Sequence, residues 1–242
     1  MNRLTSLIFL FLLSLGSLTA QDSIGIVYLF DISKSYKIKA LDEAIEVSES
    51  IYDTFTQKKG GLGSISPQYH LTSTIDAKSI KATKPCTTTY VDQGGGVFSK
   101  KSTNDDIKAD IGACLDNISN LPYAMYTDIR GGVYNAGNSL GKNIAKKGLI
   151  IFSDMENDPA KSFQKNLPLD LEDITIIMLY SHTLSGKKGN ITDKYVEDFK
   201  AIFKEAGAKN VEAWPLQSVA VQGSKGSLEV VKFFVKSFKS KK

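Results

Sequence analysis

Three stretches of this chain are apolar almost without interruption: Ile24-Gly-Ile-Val-Tyr-Leu-Phe30, Gly148-Leu-Ile-Ile-Phe152 and Ile174-Thr-Ile-Ile-Met-Leu-Tyr180. A strand with one wet face alternates apolar and polar residues, whereas a strand covered on both faces reads apolar throughout. Sheets covered on both faces are mostly parallel, because the helices that cross between parallel strands lie on those faces. These runs therefore commit the chain to an α/β architecture. Shorter strand candidates lie at 69–74, 87–91 and 211–214.

Amphipathic stretches fill the intervals. Ile38, Leu41, Ile45, Tyr52 and Phe55 recur at helical spacing. So do Ile129, Val133, Ala136, Leu140 and Ile144, which predict a helix over 129–146. Tyr195, Phe199, Ile202, Phe203 and Ala206 form another stripe, ended by Gly207 in the C-cap position. Leu228, Val231, Val235 and Phe238 form a further one, and Ile107, Ile111, Cys114, Leu115 and Ile118 a fifth. Strands alternating with helices predict a doubly wound, mostly parallel sheet flanked by helices in a three-layer sandwich. Residues 57–104, rich in Gly, Ser, Thr and Lys, read as long surface connections carrying short strands.

The N-terminus has a different logic. Arg3 is followed by an apolar run over 4–15, then by Gly16-Ser-Leu-Thr-Ala20 and a polar Gln-Asp-Ser. This is the order of regions in a secretory signal peptide, and it is short for a membrane span of ~20 residues. The expectation is a signal peptide over 1–20, cleaved near Ala20, with one domain over 21–242; an uncleaved anchor is the alternative. The protein is expected to be secreted or periplasmic. In that compartment Cys86 and Cys114 are expected to form a disulfide closing a loop worth ~3 kcal/mol, the alternative being two buried thiols. Two Cys and two His do not provide a four-ligand zinc site unless all four converge. A net charge of +4, from 30 Lys and Arg against 26 Asp and Glu, gives no reason to expect a nucleic-acid partner. The Lys-rich end (Lys236, Lys239, Lys241, Lys242) reads as a solvated helix face.

The chemistry collects where strands end. Ligands of open α/β sheets bind at the C-terminal ends of strands. The first strand runs into Asp31-Ile-Ser33-Lys-Ser35, and a helix follows at once. A second buried strand runs into Ser153-Asp154-Met-Glu-Asn157. Between them Thr127-Asp128 precedes the helix that begins at Ile129. One carboxylate and two hydroxyls at alternate positions are hard oxygen donors, suited to Mg²⁺ or Mn²⁺ more than to zinc. Each residue also has a plain reading. Ser33 and Ser35, or Thr127 and Asp128, cap the helices they precede, and Asp154 starts a turn with Asn157-Asp158-Pro159.

Taken together, these residues resemble the metal-ion-dependent adhesion site of the von Willebrand factor type A (VWA) family. Its pattern is Asp-x-Ser-x-Ser, a Thr in a distant loop, and an Asp after a later strand, matched here by Asp31, Ser33, Ser35, Thr127 and Asp154. The interval from Ser35 to Thr127 is long for the family, which places an insertion within 57–104. The resemblance implies a VWA/Rossmann-like fold and a bound Mg²⁺, with Mn²⁺ or Ca²⁺ as substitutes. It implies that Ser33 and Ser35 bind the metal directly, that Thr127 binds directly or through water, and that Asp31 and Asp154 act mostly through bound waters. It implies a protein partner that presents an Asp or Glu to the open coordination position, and binding without catalysis.

Two other signals point elsewhere. Gly137-Asn-Ser139-Leu-Gly141 fits the Gly-x-Ser-x-Gly pattern of a nucleophile elbow, with Asp170 and His182 following in the order of a serine hydrolase. That elbow requires a strand before the serine, and Ser139 lies inside a helical stripe. Asp31 after a strand also suggests an aspartyl-nucleophile phosphatase, but Ser33 stands where the second Asp is needed. The Gly141-Lys-Asn sequence lacks the features of a P-loop. Asn117-Ile-Ser119 and Asn190-Ile-Thr192 are glycosylation sequons in a eukaryotic secretory pathway. A serine hydrolase using Ser139 and a metal-free scaffold of the same fold are the alternatives to a metal-dependent binding module.

Overall fold

A computed structural model describes residues 24–56, 67–74, 86–88, 112–113, 115–122, 124, 127–141, 144–157, 167–182 and 189–239. The expected signal peptide, the rest of 57–104, and Cys114 with its expected disulfide lie outside the described residues. Among the described residues six strands, β1 (Ile24–Asp31), β2 (Pro67–Thr74), β3 (Cys86–Thr88), β4 (Lys146–Ser153), β5 (Ile174–Tyr180) and β6 (Asn210–Pro215), form one sheet in the order β3-β2-β1-β4-β5-β6. All neighbours are parallel except β3, which runs antiparallel to β2. Among the described residues the helices include α1 (Lys34–Thr56), α2 (Ile129–Ser139), α3 (Gly189–Glu205), α4 (Leu216–Ala220) and α5 (Ser224–Lys239), and residues 112–113 and 115–119 are also helical.

The apolar runs fall where their composition requires. Ile26, Tyr28 and Phe30 of β1, with Ile150 and Phe152 of β4, face α1, α4 and α5. Val27 and Leu29, with Leu149, Ile151, Ile176 and Met178, face α2 and α3. Successive residues of one strand thus enter two separate cores, which is why the strands carry no polar alternation. Phe30 and Phe152 stack at 4.8 Å across the β1–β4 pair. Gly148 lets α5 approach: a Cβ there would stand 2.8 Å from Phe234 Cε1.

Two helix predictions need correction. The helix expected over 129–146 ends at Ser139, and β4 already begins at Lys146. Gly141, at φ +49°, turns the chain out of the helix. Ile144 still packs on the same core from beyond that turn, so it kept the apolar spacing without the helix. In α5 the deepest line is Ser227, Val230, Val231, Phe234 and Ser237, while Leu228, Val235 and Phe238 are only partly buried. The hydroxyl of Ser237 meets Thr175 Oγ1 and Asn210 Nδ2 inside the protein, so the inward line contains polar residues that a reading by hydrophobicity skips.

From β1 the chain proceeds outward to β2 on one side, and from β4 outward to β5 and β6 on the other. The β1–β4 boundary is therefore where strand order reverses, and the loops leaving these strands diverge above it. This is the place where open α/β sheets form a crevice.

Candidate metal centre

Asp31 is the last residue of β1 and is fully buried. One carboxylate oxygen accepts from the Ser33 backbone N–H at 2.8 Å, and the other from the Ser153 hydroxyl at 2.7 Å. The Ser33 hydroxyl also bonds to it. Burial raises the Asp31 pKa above its ordinary value of 3.8, the hydrogen bonds from Ser153 and Ser33 oppose the rise, and the charge of Glu156 adds to it. The donors that hold this carboxylate are neutral, so its negative charge carries a desolvation cost that a nearby cation would offset.

Ser33 is buried in the loop between β1 and α1 and is bridged to Ala124, whose N–H donates to the Ile32 carbonyl at 3.0 Å. That bridge docks the segment leading to Thr127 against the loop carrying Asp31. Thr127 and Asp128 are both buried. Asp128 caps α2, accepting from Gly131 N at 2.9 Å, so the plain capping reading holds for this residue. A Cβ at Gly131 would meet the Asp128 carboxylate, which would have to shift to make room for it.

Asp154 follows β4 and is buried, with Oδ1 accepting from Glu156 N at 3.1 Å. Met155, fully buried, has φ 62°, a left-handed conformation that is uncommon for a residue of its size. Its N–H donates to the Ser153 hydroxyl at 3.0 Å. Two residues on, Asn157 Oδ1 accepts from Ile129 N at 2.9 Å, tying the loop after β4 to the start of α2.

The four residues Asp31, Ser33, Thr127 and Asp154 are thus buried at one end of the sheet, in segments joined to one another by hydrogen bonds. Ser35 lies in the first turn of α1, and its side chain is outside the described residues. Sequence reasoning assigned no role to Ser153 or Met155, and gave Asn157 only a place in a turn. The signal for Ser153 was only its place at the end of a buried strand in register with β1, where Phe30 pairs with Phe152.

Among the described residues no three His, Cys, Asp or Glu converge as a metal cluster. The donor set is two carboxylates with hydroxyls, which fits a hard divalent cation such as Mg²⁺. The buried charge of Asp31 fits it also.

Each residue of the serine-hydrolase signal has a hydrogen-bond partner outside the proposed triad. Ser139 ends a helix, and its hydroxyl donates to the Asn135 carbonyl at 2.9 Å. His182 Nε2 lies 3.3 Å from Asp193 Oδ1, and Asp170 accepts from Glu172 N at 3.3 Å.

No family model matches the chain, and no curated protein matches it. Solved structures do. The pilus adhesin SpaC from Lactobacillus rhamnosus GG, in its open conformation, aligns with a TM-score of 0.51 at 9% identity over 86% of this chain and 30% of the adhesin. The conserved hypothetical protein BatB from Bacteroides thetaiotaomicron aligns at 0.48 and 13% identity, over 87% of this chain and all of that one (100%). Human COPII-coat protein Sec24c aligns at 0.49 and 9% identity, over 84% and 32%. The chain thus spans less than a third of the adhesin's length. At such identity the likeness is one of fold: a doubly wound three-layer α/β sandwich of VWA or Rossmann-like kind, as the sequence resemblance implied.

Proposed function

We propose that this chain is an exported protein-binding module that docks an acidic residue of a partner on a Mg²⁺ ion held at the β1–β4 crevice. Ser33, Ser35 and Thr127 would hold the ion through their hydroxyls, and Asp31 and Asp154 would hold those hydroxyls and the ion's waters in place. The ion, when bound, supplies an electrophilic position that a carboxylate fills. With few anionic ligands of its own, the site leaves the cation charge for the partner to neutralise. The protein binds and does not turn over a substrate.

The observation that carries this reading is Asp31. It is a fully buried carboxylate with both oxygens oriented by neutral donors, at the point where strand order reverses. Export rests on the N-terminal sequence; among the described residues no helix is long and apolar enough to cross a membrane.

The test is an affinity capture from the native envelope, with and without EDTA, alongside Mg²⁺ and Mn²⁺ calorimetry. Capture that depends on the metal, is lost in Asp31→Ala and is kept in Ser139→Ala is expected. Labelling of Ser139 by a fluorophosphonate probe, or partner binding indifferent to both EDTA and Asp31→Ala, would overturn the proposal.

A further inference from the structure

Tyr36 stands one residue beyond Ser35, in the first turn of α1, and is only 1% exposed. Its ring belongs to the core that includes Tyr28, Phe30, Phe152 and Leu179. Its hydroxyl is shut off from solvent and closes no hydrogen bond with the described residues. The groups that act on that hydroxyl are Asp31, Ser181, Asp154 and Glu43. Ser181 faces it, yet no bond of ordinary geometry closes between the two. Ser181 in turn belongs to the site's frame, since its N–H donates to the Ser153 carbonyl at 3.2 Å.

A buried hydroxyl with no closed bond carries a desolvation penalty. A buried water satisfies such a hydroxyl where other polar groups, here Ser181 and the carboxylates of Asp31 and Asp154, act on it without bonding it directly. We propose that the Tyr36 hydroxyl is a further positioning group of the cation site, donating through a bound water to the carboxylates of Asp31 and Asp154 and fixing their orientation toward the ion. This rests on the cation reading above. A phenol keeps its proton throughout the physiological range and so serves as a donor there. The side chain touches neither partner nor ion; it acts through the carboxylates.

The experiment is Mn²⁺ titration of the full chain, paired with thermal unfolding in EDTA, for wild type, Tyr36→Phe, Ser181→Ala and Asp31→Ala. In Tyr36→Phe the ring remains and only the hydroxyl goes. The metal-free Tm is expected to stay or rise, while Mn²⁺ affinity falls about tenfold or more, as for other groups that orient ligands. A merely structural hydroxyl would lower the Tm and leave the affinity of the folded protein alone. Ser181→Ala is expected to weaken Mn²⁺ binding in the same direction, and it decides the matter if Tyr36→Phe does not fold. Asp31→Ala is expected to lose binding. Wild-type affinity in the folded Tyr36→Phe, or in Ser181→Ala where that variant alone folds, overturns this inference and leaves the cation reading standing. Absence of Mn²⁺ uptake by the wild type overturns both.

Discussion

Asp31 and Ser153, 122 residues apart in the chain, meet in a 2.7 Å hydrogen bond at the upper edge of the β1–β4 pair. The serine hydroxyl donates to the carboxylate and accepts from Met155 N at 3.0 Å. One side chain thus joins the carboxylate that ends the first strand to the loop that carries Asp154.

Asp31→Asn keeps the shape of that carboxylate and removes its buried charge. In EDTA at neutral pH the variant is expected to be more stable than wild type. Recovery of about 1 kcal/mol would raise the Tm by roughly 2–4 °C. The same variant should lose the calorimetric Mg²⁺ signal. The two effects in opposite directions separate a functional carboxylate from a structural one.

Glu49 gives a pH prediction away from the site. Its pKa is raised, by partial burial first and then by Asp53, Asp116 and Glu46. Because the folded pKa is raised, the folded state holds its proton more tightly. The associated stability is present below the unfolded value of 4.5 and is lost as pH rises through the folded one. Glu49→Gln should therefore stabilise slightly at pH 7, by about 1 °C or less given the exposure of the group, and the gain should vanish near pH 4 and shrink in high salt. Thermal scans over pH and NaCl check this.

Gly148→Ala should destabilise by about 1–3 kcal/mol, since the new methyl meets the Phe234 ring in the closed core between β4 and α5. Adding Phe234→Leu should recover part of the loss, giving a non-additive cycle in urea unfolding. Additive losses would mean that the ring is not the obstacle.

Asp128→Ala removes the cap of α2 and should cost about 1 kcal/mol. Because Thr127 is the neighbouring residue, Mn²⁺ affinity should fall as well. Asn157→Ala, which frees the Ile129 N–H from the other side, is expected to act in the same sense.

Much of this was legible in the chain. The run 174–180 became β5 with both ends as read, because a strand buried on both faces is apolar at nearly every position, its one buried hydroxyl, that of Thr175, being met by Ser237. Gly207 ends its helix with φ +90°, a conformation that glycine adopts without a Cβ penalty. Asp31, Ser33, Thr127 and Asp154 were legible as a spaced pattern, and the fold buries all four at one end of the sheet. The end of α2 was misread because Ile144 continues the apolar spacing after Gly141 has already turned the chain. Ser227 and Ser237 were missed because their hydroxyls are inside, and hydrophobicity does not register a polar group satisfied by a distant partner such as Thr175.

The division follows from the range of the forces. Periodicity, capping and turn chemistry are set by residues within a few positions of each other, so the sequence alone determined the alternation of strands and helices and the strand ends at which the carboxylates sit. The roles of Ser153, Asn157 and Tyr36 depend on neighbours brought close by strand pairing and by helix packing on the sheet. Only the tertiary structure decided those, because hydrogen bonding and desolvation act through space and carry no local signature in the chain.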